Sequence, residues 1–212
     1  MKGLTFEVVS GKVVVSDPCY ELSLGERCLK VLEVKNGIWH MNKVISDEGG
    51  WGSRVARLNV KHGDIKHGSS GFVTRSLLPG DIGVDSGQAG VFDFSHYRDD
   101  SVVETASMLG KPLCQEENAG DKWYNLCCDR TINDEFEGGS VIPFGCVSSS
   151  GFGDGGYNVY VGKNAQGEIV EIEIVFIGDD EEEDECCAYC GQTLNGYGEC
   201  EDCEDDETDD EE

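Results

Sequence analysis

The chain of 212 residues is long enough for one domain with a hydrophobic core and a small appendage. Its 43 acidic and 16 basic residues give a formal net charge of −27, but 18 of the acids lie in residues 179–212, which hold no lysine or arginine. Residues 1–178 therefore carry a net charge of −9, as an ordinary acidic domain does. The charge disfavours binding to a phosphate backbone, and no stretch approaches the ~18 consecutive apolar residues of a membrane-spanning helix.

The first 45 residues show strand patterns separated by glycine turns. "TFEVVSGKVVVSD" predicts two short strands around Ser10-Gly11. "CLKVLEVKNGIWHMNKVI" predicts a β-hairpin, because Asn36-Gly37 supplies the positive φ angles that a two-residue type I′ turn requires.

Two later stretches alternate between apolar and polar residues, as half-buried strands do. "RVARLNV" places Ala56, Leu58 and Val60 on one face. "GYNVYVGKNAQGEIVEIEIVFIG" predicts a second hairpin that turns at residues 163–167. Four apolar side chains of its return strand are expected to share a face: Val170, Ile172, Ile174 and Phe176.

Helical patterns are short. "SVVETASML" (101–109) and "DKWYNLCCDRTI" (121–132) each fit two or three turns, the second with Asp121 as its N-cap and with Trp123 and Tyr124 packed on a sheet. We therefore predict an α+β domain that is mostly antiparallel β. It would form a curled sheet or barrel-like sandwich with one or two short helices, plus a small zinc-ribbon appendage.

Composition divides the chain into four parts. The β-rich globular domain is expected to span residues 1–178. Residues 179–185, "DDEEEDE", hold no apolar side chain and predict an acidic linker. A zinc ribbon is predicted at residues 186–203, followed by a disordered acidic tail at residues 204–212.

Cysteine spacing predicts one structural zinc site. "CAYCGQTLNGYGECEDC" contains two C-x2-C pairs separated by nine residues: Cys187, Cys190, Cys200 and Cys203. Four thiolates at ~2.3 Å form a closed tetrahedral site, which leaves no position for a substrate water. Because so short a segment cannot bury a core, zinc would supply its folding free energy, on the order of 10–16 kcal/mol. Free thiols or a redox pair are the alternative.

The charge of the ribbon indicates the kind of partner, and the spacing of the remaining cysteines indicates the cellular compartment. Glu199, Glu201 and Asp202 accompany no basic residue, so the ribbon is expected to contact a protein or to staple the fold rather than to bind nucleic acid. Seven cysteines outside the motif have scattered spacing, which favours a reducing cytoplasm over a disulfide framework. We predict a cytoplasmic location, in the host if the chain is phage-encoded, and no membrane. The sequence leaves the oligomeric state open.

Three stretches of the domain carry a family resemblance: "SDPCY" (16–20), "GVDSGQAGVFD" (83–93) and "SSSGFGDGGYNVYVGKNAQGEIVEI" (148–172). A "VD-small-G" element with a downstream "S-G-x-G-D-G-x-Y" and a hairpin resembles an uncharacterised bacterial and phage family, domain-of-unknown-function family 4241. The resemblance covers residues 13–178 and not the zinc segment. It implies a domain shape and a motif set, and no established reaction.

The carboxylates of these motifs define the candidate site. Asp17 precedes a proline, Asp85 follows an apolar residue, and Asp154 lies among four glycines. If the three converge, they could hold Mg²⁺ or Ca²⁺ or act as acid and base; otherwise each caps its own turn. The predicted ligand or partner surface consists of Asp17, Asp85, Ser86, Gln88, Asp154 and Tyr157.

The histidines show no catalytic partner in the sequence. In "KHGDIKHG", His62 and His67 flank Asp64, which is compatible with a metal or acid–base cluster. The neighbouring Lys61 and Lys66 favour an exposed polar loop instead.

Three functions fit these features. The first is a cytoplasmic binding protein of phage or bacterial type that uses the glycine–aspartate loops and the ribbon as contacts; it fits the lack of a complete catalytic set. The second is a metal-assisted hydrolase built on Asp17, Asp85 and Asp154. The third is an acidic nucleic-acid mimic that inhibits a host DNA-binding protein. We predict the first function, and whether the chain is an enzyme stays open at this point.

Overall fold

The computed structural model of the chain describes residues 4–63, 74–103 and 115–178. Several predictions lie outside these residues: the linker, the zinc ribbon with its four cysteine ligands, the acidic tail, Asp64 and His67, and most of the helix expected at residues 101–109.

Within the described residues, twelve strands and one α-helix form the fold. In chain order they are β1 (Thr5–Val8), β2 (Lys12–Ser16), β3 (Lys30–Glu33), β4 (Gly37–Asp47), β5 (Ser53–His62), β6 (Thr74–Leu77), β7 (Ile82–Val84), β8 (Gln88–Asp93), α1 (Asp121–Ile132), β9 (Gly139–Ile142), β10 (Gly145–Ser149), β11 (Gly155–Lys163) and β12 (Ile169–Val175). Short 3-10 helices occupy Leu22–Arg27, Gly49–Trp51, Phe94–His96, Asp100–Val102 and Asp134–Phe136. None of the described helices has the length and apolar character needed to cross a membrane.

The strands pair antiparallel in two sheets. The first has the order β1-β4-β5-β12-β11-β6, and β7 pairs with the start of β11. The second has the order β3-β2-β8-β10-β9. The coarse prediction is therefore confirmed: the domain is mostly antiparallel β, with a curled half-barrel sheet and one α-helix.

Two apolar clusters divide the fold into three layers. The first cluster lies between the sheets and joins Trp39 of the first sheet to Val15 of the second. The second cluster lies on the other face of the second sheet, where Val14 and Phe92 pack against Trp123 of α1. Consecutive residues of β2 therefore face different clusters. This explains why the strands of the middle layer are apolar without alternation.

Helix α1 begins and ends where the sequence predicts, at residues 121–132. Its N-cap is Gly120 (φ 88°) and not Asp121, whose carboxylate accepts two N–H groups of the preceding loop from within the first turn. Trp123 is buried with its ring edge-on to Phe92 at 4.9 Å between centroids, which confirms the expected packing on a sheet.

The hairpin predicted at residues 163–167 is confirmed. Strands β11 and β12 pair from Asn158 opposite Val175 to Lys163 opposite Ile169. The four apolar side chains expected to share a face are all buried: Val170, Ile172, Ile174 and Phe176.

The hairpin predicted at Asn36-Gly37 is wrong. Both flanking strands exist, but β3 pairs with β2 while β4 pairs with β1 and β5, so the segment crosses between the sheets. The Asn36 side chain accepts the N–H of Gly11, and the His62 ring packs so closely on Gly37 that a Cβ there would lie 2.7 Å from Nε2. The glycine is needed for this close approach rather than for a type I′ turn.

A bulge changes the face predicted for β5. The register of β4 shifts after Val44, which leaves Ala56 of β5 as the extra residue. Val55 then shares the core face with Leu58 and Val60, and Ala56 is excluded from that cluster. The carbonyl of Ala56 instead accepts the N–H groups of Phe176 and Ile177, which follow β12.

Candidate functional site

Asp17 is fully buried at the end of β2, and its carboxylate is saturated with donors. Oδ2 accepts the N–H groups of Asp85 (2.9 Å) and Ser86 (2.7 Å). Oδ1 accepts the hydroxyl of Ser86 (2.6 Å) and the N–H of Cys19 (2.8 Å). Two hydrogen bonds on each oxygen use its full accepting capacity. Asp17 therefore caps a turn that lies 68 residues away in the chain, and we call this group of bonds the Asp17 clamp.

The three motifs meet at the ladder between β7 and β11. Val84 pairs with Gly155 at the end of this ladder, so Asp85 directly follows one member of the last pair and Asp154 directly precedes the other. Both aspartates are exposed, whereas Asp17 is not. The peptide N–H of Ser150 donates to the carbonyl of Gly87 (3.0 Å) and joins the two turns directly.

The carboxylates of these motifs do not form a common ligand set. Asp17 would have to give up hydrogen bonds before it could bind a cation. In residues 4–63, 74–103 and 115–178, no group of three or more histidine, cysteine, aspartate or glutamate side chains is placed to hold a metal ion.

The other residues of the predicted surface mostly support the turns. Gln88 is buried, and its Nε2 donates to Sγ of Cys128 at 3.2 Å. Tyr157 is half-buried, and its hydroxyl donates to the carbonyl of Gly153 at 2.7 Å. The Ser86 hydroxyl is used in the Asp17 clamp. Asp85 and Asp154 are thus the members that expose their side chains.

Thiols near this ladder are poor nucleophiles. Burial, the largest cause, and the charge of the neighbouring Asp17 together raise the pKa of the Cys19 thiol to about 12. Burial also raises the pKa of Cys127 and of Cys128 in α1. Because the thiolate is the reactive form, none of these three is activated for covalent catalysis.

His62 does not lie in an exposed polar loop, as the sequence had predicted. It is buried, with its ring edge-on to Trp39 and Nε2 2.9 Å from the carbonyl oxygen of Asn36. The strand continues further than the lysines indicated, because Trp39 of β4 lies opposite His62 of β5 and covers its ring.

An exposed surface next to the glycine turn was missed by sequence reasoning. Trp51 is 72% exposed and Phe152 is 57% exposed, although both are large aromatic residues. Arg54 connects them: its Nε donates to the carbonyl of Trp51 (3.1 Å), and its guanidinium carbon lies 6.0 Å from the Phe152 ring centroid. We call these three residues the aromatic–arginine surface. The signal was present in "GGWGS" and "GFGDGG", where glycines on both sides keep an aromatic residue in a turn.

A cavity of about 400 Å³ opens beside this surface, at the end of the β4–β5 hairpin. Arg54 belongs both to its wall and to the aromatic–arginine surface. The other lining residues are Ile45, Ser53, Val55, Glu137, Gly138, Ser149 and Gly151. The volume falls in the range of ligand pockets, about 300–1,000 Å³.

Lys43 fixes the wall of the cavity that comes before β9. Its Nζ donates to the carbonyls of Phe136 (2.6 Å), Glu137 (2.9 Å) and Gly139 (2.7 Å). Burial lowers the pKa of Lys43, and the charge of Glu137 opposes that shift. The Glu137 carboxylate is therefore close enough to favour the charged form of Lys43, while the ammonium itself binds main-chain carbonyls.

Comparison with known proteins identifies a family without an activity. A family model described as "Protein of unknown function (DUF4241)" matches residues 6–174, about four fifths of the chain. This agrees with the resemblance carried by the three motifs. No curated protein and no solved structure matches the chain.

Proposed function

The chain belongs to DUF4241, a family of proteins of unknown function, and we propose that this member is a non-enzymatic protein that binds another protein. Its contact is the aromatic–arginine surface, with the exposed Asp154 at one side. The partner is in a reducing cytoplasm, of a bacterium or of a phage host. Free thiols at five described cysteines support that compartment: Cys19, Cys28, Cys127, Cys128 and Cys146.

The exposure of Trp51 and Phe152 is the observation that carries the proposal. Because Trp51 is 72% exposed, its side chain buries little apolar surface and contributes little to the stability of the isolated protein. Tryptophan and arginine are enriched among the residues that dominate binding energy in protein interfaces. The surface joins one of each, because Nε of Arg54 donates to the main-chain carbonyl of Trp51, and a second exposed aromatic ring, that of Phe152, lies 6.0 Å from the guanidinium carbon.

The family motifs have a structural part in this proposal, because they position the turn that carries Phe152. The Ser150 hydroxyl and the Tyr157 hydroxyl both donate to the carbonyl of Gly153 (2.8 and 2.7 Å). The Asp17 clamp holds the neighbouring turn, which in turn accepts the N–H of Ser150. The motifs thus order the turn that holds Phe152 outside the core, and an ordered turn lowers the ordering cost of binding.

The proposal keeps the zinc site as a second element. Cys187, Cys190, Cys200 and Cys203 would bind one structural zinc ion, and the acidic ribbon would either add a contact to the partner or hold its own segment folded.

The experiment is quantitative capture by the full-length protein from bacterial lysate, followed by affinity measurement with the purified captured protein. The test variants are Trp51→Ser and Phe152→Ser. The matched control is Ile132→Ser, since Ile132 is 60% exposed at the far end of α1. A central aromatic contributes about 2 kcal/mol or more, so each test variant is expected to weaken binding more than tenfold.

The control decides what a loss of binding means. A protein captured equally by the wild type and the Ile132 variant, and lost with both aromatic variants, supports the proposal. Equal capture by all four proteins contradicts it, and so does equal loss in the Ile132 variant, which would indicate non-specific apolar adhesion.

A further inference from the structure

Arg54 is a cation without a carboxylate partner in the described part of an acidic chain. Its Nε is held by the carbonyl of Trp51, and among the described residues no aspartate or glutamate lies within ion-pair distance of the guanidinium. Elsewhere in the same sheet, Lys61 pairs with Glu171 at 2.9 Å, and Arg75 pairs with Glu173. The terminal nitrogens of Arg54 therefore stay available to an external acceptor.

The one carboxylate in the cavity wall does not cancel this charge. Glu137 is close enough to Lys43 to affect its pKa, and the Lys43 ammonium is held against the Glu137 carbonyl. Lys43 and Arg54 are thus two cations near the single carboxylate of the cavity wall, so Glu137 does not cancel both charges.

Apolar side chains form part of the surface around Arg54. Ile45 and Val55 line the cavity together with Ser53 and Ser149, and the Phe152 ring centroid lies 6.0 Å from the guanidinium carbon of Arg54. The volume of about 400 Å³ is sufficient for one large apolar side chain, while the exposed Phe152 ring extends the apolar surface beyond the cavity. A contact of this size and shape fits a peptide segment better than a small ion alone.

We infer that the segment recognised on the partner protein is a peptide in which an aspartate or glutamate lies close to an aromatic or large aliphatic residue. This inference rests on the proposed function of the aromatic–arginine surface. The carboxylate pairs with the Arg54 guanidinium, whose planar fork suits two parallel hydrogen bonds, and the apolar side chain enters the cavity. Residues 1–178 have a net charge of −9, so this one local pair, and not overall attraction, selects the acidic residue.

The test selects twelve-residue peptides from a random display library on the immobilised full-length protein. Affinities of synthetic versions are then measured by fluorescence anisotropy on four proteins: wild type, Arg54→Gln, the double variant Trp51→Ser/Phe152→Ser, and the control Lys163→Gln. Lys163 is an exposed cation on β11 and is not among the residues that line the cavity. Thermal melts check that each variant is folded.

We expect the enriched peptides to share an acidic residue near an apolar one. Arg54→Gln should weaken their binding by about 10- to 100-fold, because charge-assisted hydrogen bonds are lost, while Lys163→Gln changes it less than about twofold. Changing the acidic residue of the peptide to its amide should weaken binding to the wild type by a similar factor. The same change should weaken binding to the Arg54 variant hardly at all, because the ion pair is already absent.

Other outcomes overturn the inference in separable ways. If peptides depend on Trp51 and Phe152 but bind the Arg54 variant equally well, the proposed surface is supported, and the pairing of a peptide carboxylate with Arg54 is refuted. Peptides that depend on none of the three residues refute both the inference and the proposed surface. Phenylacetate binding as tightly as the peptides would show a small-molecule site instead, and failure to enrich any peptide also counts against the inference.

Discussion

Replacing Asp17 by asparagine should destabilise the protein without touching an exposed group. The amide can still accept the two N–H groups at one oxygen, but its NH₂ faces the N–H of Cys19, which is then left without an acceptor. Losing a charged acceptor and leaving a buried donor unpaired costs about 2–3 kcal/mol. Asp17→Ala removes all four hydrogen bonds and should cost about 4–6 kcal/mol, a large part of the 5–15 kcal/mol typical of a domain.

Urea denaturation measures this difference. With a slope of about 2 kcal/mol/M, Asp17→Asn should lower the unfolding midpoint by about 1–1.5 M. The control is Asp154→Asn, an exposed aspartate of the same motif set, which should change the free energy of unfolding by less than about 0.5 kcal/mol. Combining Asp17→Asn with Ser86→Ala should cost less than the two separate losses added together, because both remove the same 2.6 Å bond.

The opposite result would refute the clamp. If Asp17→Asn left the midpoint unchanged while Asp154→Asn lowered it, Asp17 would not be structural. The metal-assisted hydrolase would then regain its first ligand, and the assignment of the three aspartates would have to be reversed.

Three further predictions concern a buried carboxylate, a half-buried lysine and the zinc site. Burial would raise the pKa of Asp93, but hydrogen bonds from Ser95, Ser10 and Val9 outweigh it and lower the pKa; its stabilising contribution is therefore present above the unfolded pKa of ~3.9 and is lost as pH falls through the lower folded value. Urea unfolding at pH 7 and at pH 3 should show the destabilisation of Asp93→Asn shrinking in acid, and an unchanged difference would contradict the assignment. Lys43→Met leaves three carbonyls without their donor and should lower the free energy of unfolding by about 2–4 kcal/mol, against less than about 0.5 kcal/mol for the exposed Lys163→Met; equal effects would exclude the capping role. Elemental analysis should find one zinc ion per wild-type chain and none in the double variant Cys190→Ser/Cys203→Ser. If the wild type purified under reducing conditions contains no zinc, the predicted zinc ribbon is wrong.

Local patterns predicted the elements well but not their pairing. The β11–β12 hairpin was predictable because one face of each strand is buried, so the alternation of Val170, Ile172 and Ile174 reports a real boundary. The Asn36-Gly37 signal is equally strong locally. It failed because the strands on its two sides find partners in different sheets, and such long-range competition leaves no trace in a four-residue turn.

The candidate site was predictable in its location and not in its roles. The motifs around Asp17, Asp85 and Asp154 meet, as a shared site would require. Asp17 accepts backbone N–H groups of a turn that lies 68 residues away in the chain. The local sequence around an aspartate does not show which distant turn lies beside it, so its role could not be predicted. By contrast, the exposure of Trp51 and Phe152 could have been inferred, since glycines on both sides of each ring are typical of turns.

Photo-crosslinking in cells tests the binding surface most directly. A benzoylphenylalanine placed at position 152 of the full-length protein should give one discrete adduct with a partner protein, and the adduct should disappear when Trp51→Ser is added. The same residue at position 132, equally exposed on the helix, should give none. Adducts of the same size and yield from both positions, or an adduct at position 152 that is indifferent to Trp51, would contradict a binding surface built on Trp51, Arg54 and Phe152.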